Sequence, residues 1–210
     1  MTKLRSLAGL GSKIVLATVL GASLSGCVAM AVGGAATAVL SANDRRTLGM
    51  QTEDKAINVK AELKLRELTG ENGHINVTSY NRKVLLTGEV RDDAMKQAAE
   101  REVRAIDNVV SVINELEIAG PSSYTSRSND ALITTKVKAS LVDKKTVSAT
   151  AFKVTTERGI VYLQGLVTAR EGNIAADVAK GVPGVVKVVK IFEYIADEDP
   201  RANQAAPSQG

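Results

Sequence analysis

An internal duplication constrains the fold of this 210-residue chain more than any other feature of its sequence. Residues 54–65 align with residues 130–141 at an offset of 76, so that Ile57, Ala61 and Leu65 match Ile133, Val137 and Leu141. Further along, residues 84–90 (VLLTGEV) align with residues 161–167 (VYLQGLV) at an offset of 77. Because a segment repeated at this spacing forms the same structural unit each time, the chain is expected to contain two tandem copies of one small domain.

Hydrophobic periodicity predicts the order of elements inside each copy. In the second copy, Ile133, Val137 and Leu141 recur at the spacing of one helix face. Phe152, Val154 and Thr156 alternate along one strand, a Glu-Arg-Gly turn follows, and the mainly apolar run 160–167 comes next, which together predict a β-hairpin. The corresponding segments of the first copy repeat both patterns, so each domain begins with a helix followed by two strands.

The last part of each copy predicts a second helix and a third strand. In the second copy, Thr168 followed three residues later by Glu171 forms a capping box, in which each side chain satisfies a free backbone N–H. Gly88 and Gly165 lie inside predicted strands, where a glycine usually marks a bulge or a close backbone approach, so both are interpreted as structural. The predicted fold class is α+β: two tandem αββαβ domains, each a small three-stranded sheet covered by two helices.

The N-terminus predicts export and lipid attachment. Lys3 and Arg5 precede an uncharged stretch that reaches Leu-Ser-Gly-Cys27, the arrangement of a signal peptide cut before a cysteine. This motif resembles the lipobox of bacterial lipoproteins, which implies cleavage of the signal and acylation of Cys27 with chains such as palmitate. Val28, in place of the Asp that retains such proteins in the inner membrane, favours the outer membrane, facing the periplasm. An uncleaved transmembrane helix is the alternative, because residues 14–40 carry no charge and are long enough to cross a bilayer.

These features together predict the organisation of the whole chain. Polar, turn-rich sequence separates the two copies, and a polar segment follows the second. The predicted regions are a cleaved signal peptide (1–26), a lipidated N-terminus and linker (27–52), the first domain (53–119), a linker (120–128), the second domain (129–195) and a disordered tail (196–210).

Charge separates the two domains. Removing residues 1–26 lowers the formal net charge from +4 to +1, so the main argument for binding nucleic acid is lost. Residues 54–119 carry a net charge of −2, whereas residues 129–196 carry +4. Each Lys or Arg near an anionic bilayer contributes about 1 kcal/mol to the free energy of binding. The more basic second domain is therefore the candidate for membrane contact.

The first helix of the second domain offers a candidate lipid-binding surface. Leu132 lies about 100° around the helix from Ile133 of the predicted core face, with Lys136 on its side and Lys138 and Val142 flanking the face. An exposed leucine among lysines can insert below lipid headgroups while the ammonium groups stay at phosphate level. The alternative is that Leu132 packs against the first domain or widens the core edge. Its counterpart there is Ala56, which weakens a similar argument for the first domain.

The segments "INVTSYNRKVLLTGEV" and "FKVTTERGIVYLQGLV", and the ending "VPGVVKVV", resemble the BON domain. Two such domains behind a lipobox resemble the dual BON-domain outer-membrane lipoproteins of Gram-negative bacteria. The resemblance implies binding of anionic phospholipid, such as phosphatidylglycerol or cardiolipin, through the second domain. It also implies support of outer-membrane integrity near division sites and near the barrel-assembly machinery.

An enzyme is not expected. His74 is the only histidine and Cys27 the only cysteine, so neither a catalytic Cys-His pair nor a Cys/His metal motif can be assembled. Neither a cofactor nor a metal is expected. Asp92 and Asp93 are interpreted as helix caps, and His74 is predicted to lie in the loop before a strand.

Two other classes of function remain open. The acidic first domain could be a protein-interaction adaptor for the barrel-assembly machinery, with the membrane role limited to the acyl anchor. Peptidoglycan binding has weaker support, because aromatic residues make up only 3% of the chain and no sugar-stacking platform is visible.

Overall fold

The computed structural model describes residues 44–70 and 73–197. Cys27, the predicted signal peptide and most of the predicted tail lie outside the described residues. The first domain consists of α1 (Leu48–Thr69), β1 (His74–Tyr80), β2 (Lys83–Val90), α2 (Asp93–Arg104), β3 (Ser111–Asn114) and a short β4 (Glu117–Ile118). The second consists of α3 (Tyr124–Asp143), a 3-10 turn (Ala149–Ala151), β5 (Phe152–Glu157), β6 (Ile160–Val167), α4 (Ala169–Lys180) and β7 (Lys187–Tyr194). The predicted α+β class and the duplicated αββαβ order are confirmed.

The two sheets have the same topology. β1 pairs with β2 in antiparallel fashion, and β2 pairs with β3 and β4 in parallel. β5, β6 and β7 repeat this arrangement, with β7 as one continuous strand. The parallel pair requires a crossover connection, which α2 and α4 supply.

Both first helices begin earlier than the aligned blocks. Thr47 caps α1 by accepting a hydrogen bond from the backbone N–H of Met50, and Ser123 caps α3 by accepting from Ser126. Each helix therefore begins inside a stretch that the sequence analysis assigned to a linker. The predicted capping box of α4 is present, since Thr168 accepts from the Glu171 backbone and the Glu171 carboxylate accepts from Thr168 N–H.

One face of each sheet carries the helices. In the first domain, buried residues of α1 and α2 pack against Val84, Leu86 and Val90 of β2. In the second domain, the predicted face of α3 packs with α4 against Val161, Leu163 and Val167 of β6. Burial of these aliphatic side chains contributes about 1.5–3 kcal/mol each, so each core supports its own sheet.

A duplicated aspartate ties the first helix of each domain to the hairpin turn. Asp54 accepts hydrogen bonds from the backbone N–H groups of Asn81 and Arg82, both at 2.8 Å. Asp130 accepts in the same way from Arg158 and Gly159, both at 2.9 Å. All four turn residues have positive φ, a conformation that non-glycine residues adopt only with support. The carboxylates supply that support.

The second face of each sheet is buried against the other domain. Leu85, Thr87 and Glu89 of β2 are at most 1% exposed although they point away from the helices. On β6 the corresponding residues Tyr162 and Gln164 are also at most 3% exposed. The structure is thus a sandwich of two sheets with helices on both outer sides, an arrangement that the periodicity within each domain does not reveal.

A pseudo-two-fold axis relates the two domains. Thr78 and Thr155 occupy equivalent positions at the 77-residue offset, and their hydroxyl oxygens lie 3.3 Å apart. Asn81 contacts Glu193 at 2.9 Å, and the equivalent Arg158 contacts the equivalent Glu117 at 3.2 Å. Such reciprocal contacts are typical of a two-fold homodimer interface, here formed within one chain.

Candidate functional sites

The outward side of α3 carries the residues predicted to bind lipid. Leu132 is 59% exposed and Val142 is 65% exposed, while Lys136 and Lys138 are both exposed. The core side of the same helix is formed by Ile133, Val137 and Leu141, all buried. Leu132 therefore lies outside the core, as required of a side chain that contacts a partner.

The two ends of α3 extend this outward surface. Tyr124, the first helical residue, is 87% exposed, and the guanidinium carbon of Arg127 lies 5.5 Å from its ring centroid. Lys144 and Lys145 follow the last helical residue and are exposed. Since a helix rises 1.5 Å per residue, the 20-residue α3 is about 30 Å long, and the stretch from Leu132 to Val142 covers about 15 Å of it. We call Leu132, Val142, Lys136 and Lys138 the α3 surface.

The first helix of the first domain also exposes apolar side chains. Val59 and Leu63, one turn apart on α1, are 57% and 56% exposed. The sequence analysis missed them because it considered only Ala56, the counterpart of Leu132. Ala56 lies about one turn before Val59 on α1. Exposure alone does not distinguish the two helices, and α1 carries both acidic and basic side chains beside its apolar pair, among them Glu62 and Lys64. The difference lies in the net charge of the domains, −2 for the first and +4 for the second.

A buried ion pair joins the segment before α1 to the second domain. The guanidinium of Arg45 donates to both carboxylate oxygens of Glu171, at 2.7 and 2.8 Å, and to the carbonyl of Leu166 at 3.0 Å. Both side chains are almost completely buried. Burial alone would raise the pKa of Glu171, but the hydrogen bonds from Arg45 and Thr168 outweigh it and lower the pKa. The sequence analysis did not single out Arg45, because it lies in the predicted linker and its partner is 126 residues away.

A second polar group lies between the sheets at the opposite end of the interface. His74, Glu89 and Glu157 each offer one nitrogen or oxygen atom, and these atoms lie within 4.8 Å of one another. His74 is the first residue of β1, so its predicted place in a loop is wrong. We call these three residues the interface cluster.

Hydrogen bonds orient the two carboxylates of the interface cluster. Asn76 donates to Glu157 Oε2 at 2.7 Å, and the backbone N–H of Ser122 donates to Glu89 Oε2 at 3.2 Å. Burial raises the pKa of Glu157, and the charge of Glu89 raises it further. Burial also lowers the pKa of His74, whose Nδ1 lies 3.5 Å from Glu89 Oε2. The sequence analysis missed this cluster because its members come from two domains, and only the sheet packing brings them together.

Glycines at equivalent positions allow close backbone approach beside these sites. A Cβ on Gly88, whose φ is +111°, would lie 2.0 Å from the carbonyl oxygen of His74. A Cβ on Gly165 would lie 2.6 Å from the carbonyl oxygen of Ala151. Of the predicted caps, Asp92 accepts from Met95 N–H at the start of α2, and Asp93 lies in its first turn.

Within residues 44–70 and 73–197, the structure contains no helix that is both long and apolar enough to cross a membrane. The alternative of a transmembrane segment over residues 14–40 falls outside the described residues.

Comparison with known proteins identifies the family. Residues 54–120 and residues 129–196 each match the BON domain. The chain therefore belongs to the BON domain family, as a tandem two-domain member.

The relatives cover most of the chain. It is 39% identical over 185 residues to "Outer membrane lipoprotein DolP" of Haemophilus influenzae, covering 86% of this chain and 95% of that protein. It is 32% identical to a "21 kDa hemolysin" of Actinobacillus pleuropneumoniae, covering 72% of this chain and 79% of that protein. It is 28% identical to "Osmotically-inducible protein Y" of Escherichia coli, covering 84% of this chain and 92% of that protein. These three names describe no enzymatic activity.

Proposed function

We propose that this chain is an outer-membrane lipoprotein, anchored through Cys27, whose second BON domain binds anionic phospholipid through the α3 surface. The observation that carries the proposal is the exposure of Leu132 and Val142 between Lys136 and Lys138 on one helix. A patch of this composition suits a membrane interface, with its apolar side chains below the headgroups and its lysines at the phosphates.

The expected strength of this contact suits a tethered protein. Burial of Leu132 contributes about 1.5–3 kcal/mol, and each lysine near the surface contributes about 1 kcal/mol. The sum corresponds to weak, reversible binding by a free domain. An acyl anchor already holds the protein at the membrane, so the α3 surface meets lipid at a high effective concentration. A weak contact of this surface is then sufficient.

The relatives support the location and the anchor. A relative at 39% identity over most of both chains carries the name outer membrane lipoprotein. The wider role that we propose is support of outer-membrane integrity, with recruitment by anionic lipid near division sites. A fluorescent fusion tests this role, since Leu132→Glu is expected to disperse any septal signal while leaving the protein in the outer membrane.

Vesicle co-sedimentation tests the lipid contact directly. Residues 28–210, which lack the acyl anchor, are mixed with vesicles of phosphatidylglycerol, cardiolipin or phosphatidylcholine at low and high salt. We expect selective pelleting with the two anionic lipids, weakened by salt because screening reduces the lysine contribution. Leu132→Glu is expected to abolish pelleting.

A matched variant on the first domain serves as the control. Leu63→Glu places the same charge on a helix surface of the same exposure, 56% against 59%, but outside the α3 surface. We expect it to pellet like the unchanged protein. Equal binding to neutral vesicles, or equal loss in both variants, would contradict the proposal.

Val59 and Leu63 favour a second candidate function, a protein-interaction adaptor that contacts the barrel-assembly machinery. They form an exposed apolar pair on α1 of the acidic domain. A photo-crosslinking residue at position 63 is expected to capture a single abundant partner if this function operates. Crosslinks from position 63 combined with no vesicle binding would favour the adaptor over the lipid-binding function.

A further inference from the structure

The pseudo-two-fold axis creates two equivalent positions at the domain interface, and the two are filled differently. At one position, the Tyr80 hydroxyl donates to the carbonyl of Ala151 at 3.4 Å and accepts from Leu166 N–H at 3.2 Å. At the other, the 77-residue offset replaces these three residues by Glu157, His74 and Glu89. One end of the interface is therefore closed by a tyrosine, whereas the other holds two carboxylates and an imidazole.

The second position has polar atoms without hydrogen-bond partners among the described residues. The side chain of Glu89 is 0% exposed, yet its Oε1 accepts no hydrogen bond, and His74 Nδ1 also makes none. Arg158 lies 3.9 Å from Glu89 Oε1, too far for a hydrogen bond, and forms a closer pair with Glu117 at 3.2 Å. Glu89 Oε2 accepts from Ser122 N–H, but Oε1 is a buried oxygen with unmet hydrogen-bonding capacity, and a bound cation would satisfy it.

We propose that His74, Glu89 and Glu157 form a binding site for a divalent transition-metal cation of the zinc class. One imidazole nitrogen and two carboxylate oxygens are a donor set that zinc accepts at about 2.0–2.2 Å. The candidate ligand atoms lie within 4.8 Å of one another. Because ligands at such bond lengths lie about 3.4 Å apart in a tetrahedron, side-chain movements of about 1 Å complete the site. A water molecule would take the fourth position.

The surroundings of the interface cluster suit a metal site. Asn76 and the Ser122 backbone each hold one carboxylate oxygen, in the way that outer hydrogen bonds orient metal ligands. A cavity of about 400 Å³ is lined by His74, Glu157 and Thr134 among others, so two of the three proposed ligands border space that an ion can enter. Since Glu157 belongs to the second domain and the other two ligands to the first, a bound cation would join the domains. This site is independent of the α3 surface.

Metal titration of the whole protein tests the proposal. The full chain is expressed without an affinity tag, purified from membranes in detergent and stripped with EDTA, and then titrated with ZnCl₂ and, separately, CaCl₂. Because the chain has one histidine, the imidazole NMR signals report on His74 alone. We expect zinc to shift these signals with saturation at one equivalent, and to raise the melting temperature because the cation binds only the folded state. Calcium is expected to do neither.

Three variants make the outcome specific. His74→Ala and Glu157→Gln are each expected to weaken zinc binding at least tenfold while the far-ultraviolet circular dichroism stays unchanged. Glu117→Gln removes an equal charge next to the cluster without removing a ligand, and is expected to bind zinc within twofold of the unchanged protein. Imidazole signals that do not move at 100 μM zinc, or equal weakening in all three variants, would overturn the proposal.

Discussion

The hydroxyl oxygens of Thr78 and Thr155, equivalent residues of the two BON domains, lie 3.3 Å apart at the centre of the domain interface. A contact between equivalent residues means that the tandem domains meet as the subunits of a two-fold dimer do. The first helices of both domains lie on the outer sides of this sandwich and expose apolar side chains there, within the part of the chain that the structure describes. The interface thus stabilises the protein, while α1 and α3 remain available to membrane or partners.

Breaking the buried pair between Arg45 and Glu171 is expected to destabilise the protein strongly. Arg45→Ala leaves the Glu171 carboxylate buried without its cation, and such a change costs about 3–5 kcal/mol. Urea unfolding followed by circular dichroism measures the difference. Lys64→Ala removes an exposed pair with Glu102 and is expected to change the midpoint little. If Arg45→Ala lowered the free energy of unfolding no more than Lys64→Ala does, the account would be contradicted.

The same pair predicts acid sensitivity. The pKa of Glu171 is lowered in the folded state from its ordinary value of 4.5, so the folded protein holds this proton less tightly than the unfolded chain does. Its contribution to stability is therefore complete above pH 4.5 and is lost as the pH falls through the folded pKa. Glu171→Gln is expected to flatten the pH dependence of the free energy of unfolding between neutral and acidic pH. An unchanged slope would show that other carboxylates dominate.

Gly88→Ala is expected to destabilise the first domain. The φ of Gly88 is +111° and the new Cβ would lie 2.0 Å from a backbone oxygen, which cannot move without disturbing β1. We expect a loss of about 2–4 kcal/mol in the free energy of unfolding. Gly120→Ala is the control, because a Cβ there meets no atom within 4 Å. Equal effects of the two changes would disprove this explanation.

Asp130→Ala is expected to weaken the attachment of α3 to its hairpin. The carboxylate accepts two backbone hydrogen bonds from residues of positive φ, and each charged hydrogen bond contributes about 1.5–3 kcal/mol. Thermal unfolding measures the loss. Asp143→Ala, at the exposed end of the same helix, should leave the melting temperature nearly unchanged.

The duplicated fold could be predicted from the sequence because its signals are local. Ile133, Val137 and Leu141 repeat at helix spacing, and Thr168 with Glu171 marks a helix start within four residues. The packing between the domains has no such signal. Leu85 points away from the helices of its own domain, where a strand residue is usually exposed to solvent. No local pattern in the sequence shows that the other sheet covers it.

The candidate sites divide in the same way. The exposure of Leu132 could be predicted because its position on a helix wheel follows from the neighbouring core residues. Arg45 lies in a stretch of linker composition, and His74 meets Glu157 only after the two sheets pack. Residues whose roles depend on contacts between the domains cannot be identified before the tertiary structure is known.

An environment-sensitive fluorophore on the α3 surface tests the central claim of lipid binding most directly. Residues 28–210 contain no cysteine, so Leu132→Cys or Leu63→Cys provides one labelling position on each first helix. With cardiolipin vesicles, we predict a blue-shifted emission at position 132, quenched by lipids brominated near the headgroup, and no shift at position 63. A label at position 132 that stays in water with every anionic vesicle, in a protein shown to be folded, would contradict the claim.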